Sequence, residues 1–243
     1  MSKIHLQTMH LFYTPKLQHQ IHILSEEESK HCTRVLRLSE GNIIYLTDGK
    51  GLFCEAVIKD ANPKACAIEI IKKTQEYRKP DFRLSIAIAP TKNIERFEWF
   101  LEKVTEIGID KVIPMICRYS ERKEIKPDRL EKVIVSAMKQ SQKAYLPELS
   151  PIQQYKDFII KPFEGDKFIA HCINGEKKLF RNLVKQGGNT LILIGPEGDF
   201  SAEEVDMAIS HGFMPISLGD SRLRTETAGV VACHTVNLIN QKS

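Results

Sequence analysis

The sequence predicts an α/β fold, a parallel sheet wrapped by helices, preceded by a small β-barrel. Three observations predict it. Residues 1–75 read as short β-rich runs separated by turn residues. From Leu84 onward, apolar runs alternate with amphipathic helical segments, the pattern of strands joined by helical crossovers. Between the two patterns lies EYRKPDFR (76–83), charged, without periodicity and carrying Pro80, where we place the linker. The expected domains are therefore 1–75 and 84–243, both of ordinary domain size.

In the first domain NIIYLTD (42–48), LFCEAVIK (52–59) and ACAIEII (65–71) are strands, and Gly49 and Gly51 between the first two signal a hairpin. Ser25 before three glutamates is a helix N-cap with acids in the first turn. In the second domain LSIAIAP (84–90) is a strand buried on both faces. Ile94, Phe97, Leu101, Val104 and Ile107 then recur at helical spacing until Gly108. KVIPMIC (111–117) is the next strand. Pro127 opens a helix whose inner face is Leu130, Val133, Ile134, Ala137 and Met138. KFIAHC (167–172), a helix at 176–186, TLILIG (190–195), a helix at 202–211, PISLG (215–219) and a last helix at 226–240 follow.

Composition limits the functions available. With 42% hydrophobic and 27% charged residues the 243-residue chain can bury a core. No apolar run reaches the ~18–20 residues that span a bilayer. The N-terminus lacks the apolar stretch of a signal peptide, and Met9 is an alternative start that would make residues 1–8 an extension. The six cysteines form no CxxC pair, which argues against zinc and for reduced, buried thiols in the cytoplasm. We expect no metal and no membrane. Formal net charge is +4, but residues 1–75 hold 10 basic and 8 acidic side chains, residues 76–150 hold 15 and 12, and residues 151–243 hold 10 and 11. The basic excess sits in the first 150 residues, where it suits a polyanionic partner.

Ligands in open α/β sheets bind beyond the carboxyl ends of the strands. Neither GxGxxG nor GxxxxGK[ST] follows any strand, so a nicotinamide-type or P-loop nucleotide site is not expected. Two loops are unusual. Gly195-Pro196-Glu197-Gly198-Asp199-Phe200-Ser201 leaves TLILI, with Ser201 and Glu204 spaced as a capping box. Its glycines let a ligand approach backbone, and its acids suit a cation. Leu218 to Ala228 packs two arginines, two acids and two threonines into a turn that needs few residues, with Thr225 placed to cap the last helix.

GPEGDFS followed some twenty residues later by LGDSRLRTETA resembles the signature of the 16S rRNA (uracil-N3) methyltransferases, of the SPOUT superfamily. HCTRVLRLSEGNIIYLTDGKG (31–51) resembles that family's PUA-like barrel. ERFEWFLEKVTEIGIDKVIP (95–114) and MKQSQKAYLPEL (138–149) resemble its catalytic half. The resemblance implies a trefoil-knotted sheet, S-adenosylmethionine as methyl donor, 16S rRNA or the small ribosomal subunit as partner, and a homodimer. The donor pocket it implies comprises Ile194, Gly195, Pro196, Glu197 and Gly198, then Leu218, Gly219, Leu223, Thr225, Thr227 and Ala228, with His171 in a third wall. Arg224 would stabilise the uracil anion, and Glu226 or Glu197 would take the N3 proton or orient that arginine. Arg34, Arg37, Lys92, Arg118, Arg122, Lys123 and Lys143 would supply contacts to RNA phosphates. Three positions depart from the family pattern: Asp199 stands where a glycine is usual, Ser221 where an arginine is usual with Arg222 displaced by one, and Lys143 where an arginine is usual. Ribose 2′-O-methylation, and a non-catalytic ribosome-assembly factor that binds RNA, are the competing readings.

Overall fold

The computed structural model describes residues 9–17 and 19–241; the extension at 1–8 lies outside them. The chain forms two compact units. One holds the described residues up to Lys79 together with Met138–Leu146, and the other holds Pro80–Ala137 and the described residues from Pro147 on.

The first unit contains β1 (Leu11–Tyr13), β2 (Ile21–Ile23), α1 (Glu26–Lys30), a single π turn (His31–Val35), β3 (Ile43–Thr47), β4 (Phe53–Asp60) and β5 (Ala67–Thr74). They form one five-stranded sheet in the order β1-β3-β4-β5-β2. Side chains alternate along β4 and β5, placing Ala56, Ile58, Ile68 and Ile70 inside with Phe12, Ile44 and Leu46. The two edge strands are tied by a 3.0 Å hydrogen bond between the Thr14 hydroxyl and His22 Nε2, so the sheet curls into a half-barrel. Ser25 caps α1 as expected, its hydroxyl accepting from the Glu28 amide. Cys32, Cys54 and Cys66 are buried in this core.

The segment 138–146, part of the stretch that resembles the family's catalytic half, packs with this first unit. Ala144 O accepts from the Gly51 amide at 2.9 Å and from the Thr47 hydroxyl at 3.1 Å. Lys139 Nζ lies 2.6 Å from Glu28 Oε1. Gly51 sits at φ +102°, and a Cβ there would lie 2.4 Å from the Tyr145 hydroxyl, so glycine is required on both counts.

The second unit begins with β6 (Arg83–Ile88), α2 (Ile94–Ile107), β7 (Lys111–Ile116) and α3 (Pro127–Gln140). There follow β8 (Glu148–Leu149), β9 (Gln153–Gln154), α4 (Tyr155–Ile159), β10 (Asp166–Ala170), β11 (Lys178–Leu179), β12 (Asn189–Ile194), α5 (Ala202–Ser210), β13 (Met214–Ser217) and α6 (Thr225–Ile239). The strands form a sheet in the order β11-β13-β10-β12-β6-β7-β8, with β9 pairing β7, and every pairing is parallel. Central strands such as β12 are buried along nearly their whole length, as a sheet covered on both faces requires. The Asn93 side chain caps α2, and Gly108 ends it at φ +136°. Helix α6 returns to pack on α2, and the contact is close: a Cβ on Gly229 would lie 2.5 Å from the Phe100 ring.

Three expectations for this unit are corrected. Residues 176–186 are not a helix. Lys178 and Leu179 pair with β13, and only Phe180–Asn182 makes a short 3₁₀ turn. Extended backbone carries Phe180 into the core against Phe168, so tertiary packing overrides the helical spacing. Thr225 is the first helical residue of α6 rather than its cap. Arg224 holds the cap position, without a side-chain bond. Cys172 is exposed, unlike the other five cysteines.

Candidate functional site

Strand β10 lies between β12 and β13, so the loops leaving these three strands meet at one edge of the sheet. They enclose a cavity of about 710 Å3. The β12–α5 loop is held from below. The Ser201 hydroxyl accepts from the Glu204 amide at 3.2 Å, and Glu204 Oε2 accepts from the Ser201 amide at 2.9 Å. The other Glu204 oxygen accepts from the Arg118 amide at 2.8 Å. A Cβ on Gly195 would come within 3.1 Å of the Phe200 ring, so the loop folds tightly against its own helix start.

Asp199 explains its own departure from the family pattern. Its φ is +65°, a conformation that favours glycine and that aspartate tolerates better than most residues. Its two carboxylate oxygens accept from the Cys172 amide at 2.7 Å and from the Phe200 amide at 2.8 Å. The aspartate thus keeps the glycine conformation and adds a strap between the β10 and β12 loops.

Of the residues expected around the donor, Ile194, Gly195, Pro196, Glu197, Leu218, Gly219, Leu223, Thr225, Ala228 and His171 line this cavity. Gly198 does not. Its α-carbon faces Tyr119, 3.0 Å from where a Cβ would reach. Thr227 lines a neighbouring cleft instead. Both Ser221 and Arg222 line the cavity. Cys172, Asp199 and Asp220, from the strand end and the two loops expected there, line it too, as do Arg96, Lys177, Ile216 and Ser217, which sequence did not single out. Lys177 turns its ammonium onto the His171 and Ile173 carbonyls, at 2.9 and 2.7 Å.

Both ring nitrogens of His171 are buried and have no hydrogen-bond partner. Burial pulls its pKa below the ordinary value of 6.5, Lys177 pulls the same way, and Asp199 opposes. The ring is therefore neutral at pH 7. A neutral imidazole with an unused donor and acceptor, three nearby carboxylates and accessible glycine backbone fit a ligand that is cationic at one point and polar elsewhere.

The expected catalytic residues separate. Arg224 lines both the cavity and the neighbouring cleft of about 570 Å3. Glu226 lines only the cleft. It is buried, and its Oε2 has no partner. Glu197 lines the cavity but is exposed, with Oε1 accepting from the Lys92 amide at 2.9 Å.

The basic residues separate as well. Arg34, Arg37 and Lys123 are exposed, Arg37 at φ +55°. Lys143 lies in the segment that belongs to the first unit. Arg118 pairs with Glu203 at 3.0 Å, and Lys92 with Glu121 at 2.7 Å. Arg122 has a structural task, donating to the Thr91 and Lys92 carbonyls at 3.0 and 2.6 Å. Among the described residues no group of three or more histidine, cysteine or acidic side chains could hold a metal ion, and no helix is long and apolar enough to cross a membrane.

Residues 78–237 match the RNA methyltransferase domain, and residues 24–71 match the RNA methyltransferase PUA domain. A ribosomal RNA small subunit methyltransferase E from Mesomycoplasma hyopneumoniae is 28% identical over 228 residues, covering 91% of this chain and 96% of the relative. The crystal structure of a probable rRNA-methyltransferase from Porphyromonas gingivalis is 42% identical, with a TM-score of 0.88 over 96% of this chain and 98% of that one. A ribosomal RNA small subunit methyltransferase E from Neisseria gonorrhoeae, solved bound to S-adenosyl methionine, is 27% identical with a TM-score of 0.85, over the same 96% and 98%.

Proposed function

The chain belongs to the RNA methyltransferase family, and from that premise we propose that it methylates N3 of a uridine in 16S rRNA. It is an S-adenosylmethionine-dependent rRNA methyltransferase. The observation that carries this reading is the 710 Å3 cavity at the adjoining ends of β10, β12 and β13, with the unpartnered His171 ring in its wall. When bound there, S-adenosylmethionine supplies an electrophilic methyl group on a sulfonium.

The chain's own residues do the rest. Backbone groups of 194–197 and 218–219 hold the donor's polar atoms, while Glu197, Asp199 and Asp220 offset the sulfonium charge. Arg224, at the boundary of cavity and cleft, stabilises negative charge as the uracil loses its N3 proton. A carboxylate must receive that proton, and Glu226 is better placed than Glu197 because it has an oxygen without a partner. Positioning the nitrogen in line with the methyl–sulfur bond supplies much of the acceleration.

The first unit acts as the RNA-recognition module, with Arg34, Arg37 and Lys143 on it, and Lys92, Arg118 and Lys123 extend phosphate contact on the second. The protein works in the cytoplasm as a homodimer, and its C-terminal segment is threaded as a trefoil knot. Calorimetry tests the reading: micromolar-range binding of S-adenosylmethionine is expected. Replacing Arg224 by Ala should abolish methyl transfer and leave RNA binding nearly intact. Absence of donor binding would overturn the reading, and full activity of Arg224→Ala would remove Arg224 from the chemistry.

A further inference from the structure

The cleft beside the donor cavity has no assigned occupant. It is formed by the first turns of α2 and the start of α6, and it shares Arg96, Arg222, Leu223 and Arg224 with the donor cavity. Two side chains distinguish it. Trp99 is the only tryptophan in the chain, yet it is 43% exposed and lines this cleft. Arg96 lies three residues earlier on α2, so guanidinium and indole share one side of the helix. On the facing wall Glu226 is only 6% exposed, and its Oε2 is buried without a partner. A buried acceptor left unsatisfied is costly, and such groups in folded proteins usually mark a missing donor.

An indole surface beside arginines suits an unstacked nucleobase and its phosphate. An ionised carboxylate only accepts hydrogen bonds. We propose that this cleft seats the acceptor base, with Trp99 as the platform on which the uracil stacks and Glu226 accepting a hydrogen bond from its N3–H. The proposal rests on the methyltransferase reading and adds the group that tells uracil from cytosine. Uracil presents N3–H to the carboxylate. Cytosine presents a lone pair at N3, which leaves the carboxylate unsatisfied and repelled. The bond that recognises uracil is also the path of the departing proton. The N3–H bond breaks toward Glu226, the N3–carbon bond forms, and the methyl–sulfur bond breaks with its electron pair remaining on sulfur. The carboxylate's negative charge and the sulfonium's positive charge are discharged together. Arg96 and Arg222 line the same space and hold the flanking phosphate, and Arg224 faces the uracil carbonyls, where negative charge develops.

Because Trp99 is the only tryptophan, its fluorescence reports the seat directly. The full-length protein is titrated with short single-stranded oligouridylate and with oligocytidylate of the same length. Oligouridylate should quench the fluorescence and bind about ten-fold more tightly than oligocytidylate. Glu226→Gln should erase that preference, because an amide can both donate and accept. Trp99→Ala should weaken oligouridylate binding about ten-fold, with donor affinity by calorimetry unchanged, and Trp99→Phe should recover most of the loss. Unquenched fluorescence, together with an unaltered KM for small subunits in Trp99→Ala, would overturn the seat while the methyltransferase reading stands. Absence of methyl transfer by the wild-type chain would overturn that reading and this one with it.

Discussion

At the scale of single residues, Asp199 is the most informative position. A side chain at φ +65° carries strain that glycine would avoid, and the aspartate offsets it with two hydrogen bonds from its carboxylate to backbone amides. Asp199→Gly removes the strap and keeps the turn, so donor affinity should fall several-fold while the fold survives. Asp199→Val adds strain to the loss, and its melting temperature should fall as well. Calorimetry and thermal melting separate the two effects, and equal donor affinity in Asp199→Gly would show that the strap is idle. His171 gives a pH signature. Its folded pKa lies below the ordinary 6.5 because burial and Lys177 disfavour the charged ring. Below about pH 6.5 the unfolded chain takes up a proton that the folded chain does not, so this residue makes stability fall as pH falls through that range. His171→Gln should flatten that part of the melting temperature against pH, and an unchanged slope would contradict the assignment.

At the scale of elements, the β12–α5 turn shows how local sequence places chemistry. The Ser201–Glu204 capping box is visible in the sequence and forms as expected. Ser201→Ala should cost about 1 kcal/mol, a fall of about 2–4 °C in melting temperature for a chain of this size. A change within error would mean that Glu204, bound also to the Arg118 amide, holds the turn alone. The elements also show where sequence reading stops. Strand and helix periods located β3 to β7, α2, α3, β10, β12, α5, β13 and α6, because each has a continuous apolar face that its own residues define. The helix expected at 176–186 failed because Leu179 and Phe180 answer to the edge of β13 and to Phe168, which sequence spacing does not record. The packing of 138–146 with the first unit was not legible for the same reason. Its partners, the Gly51 amide and the Thr47 hydroxyl, lie some ninety residues away in the chain. In the site, the glycine-bearing loops were legible as loops. Trp99 and Arg96 were not legible as site residues, because only the buried face of α2 follows from its period. An exposed aromatic on the polar face was the available signal.

At the scale of the whole molecule, charge and fold divide the work. The basic excess lies in the first 150 residues and the last third is slightly acidic. A basic excess suits a polyanionic partner and an acidic one a cationic ligand. A net charge of +4 averages the two and conceals both. The parallel sheet brings three loops to one edge, where they line the cavity. The central claim is that this cavity delivers a methyl group to N3 of a uridine. The most direct test is incubation of the protein with small ribosomal subunits lacking the mark and methyl-labelled S-adenosylmethionine, followed by nucleoside digestion and mass spectrometry. The account predicts label in 3-methyluridine, lost in Arg224→Ala. Label in a ribose-methylated nucleoside, or none despite measurable donor binding, would contradict it.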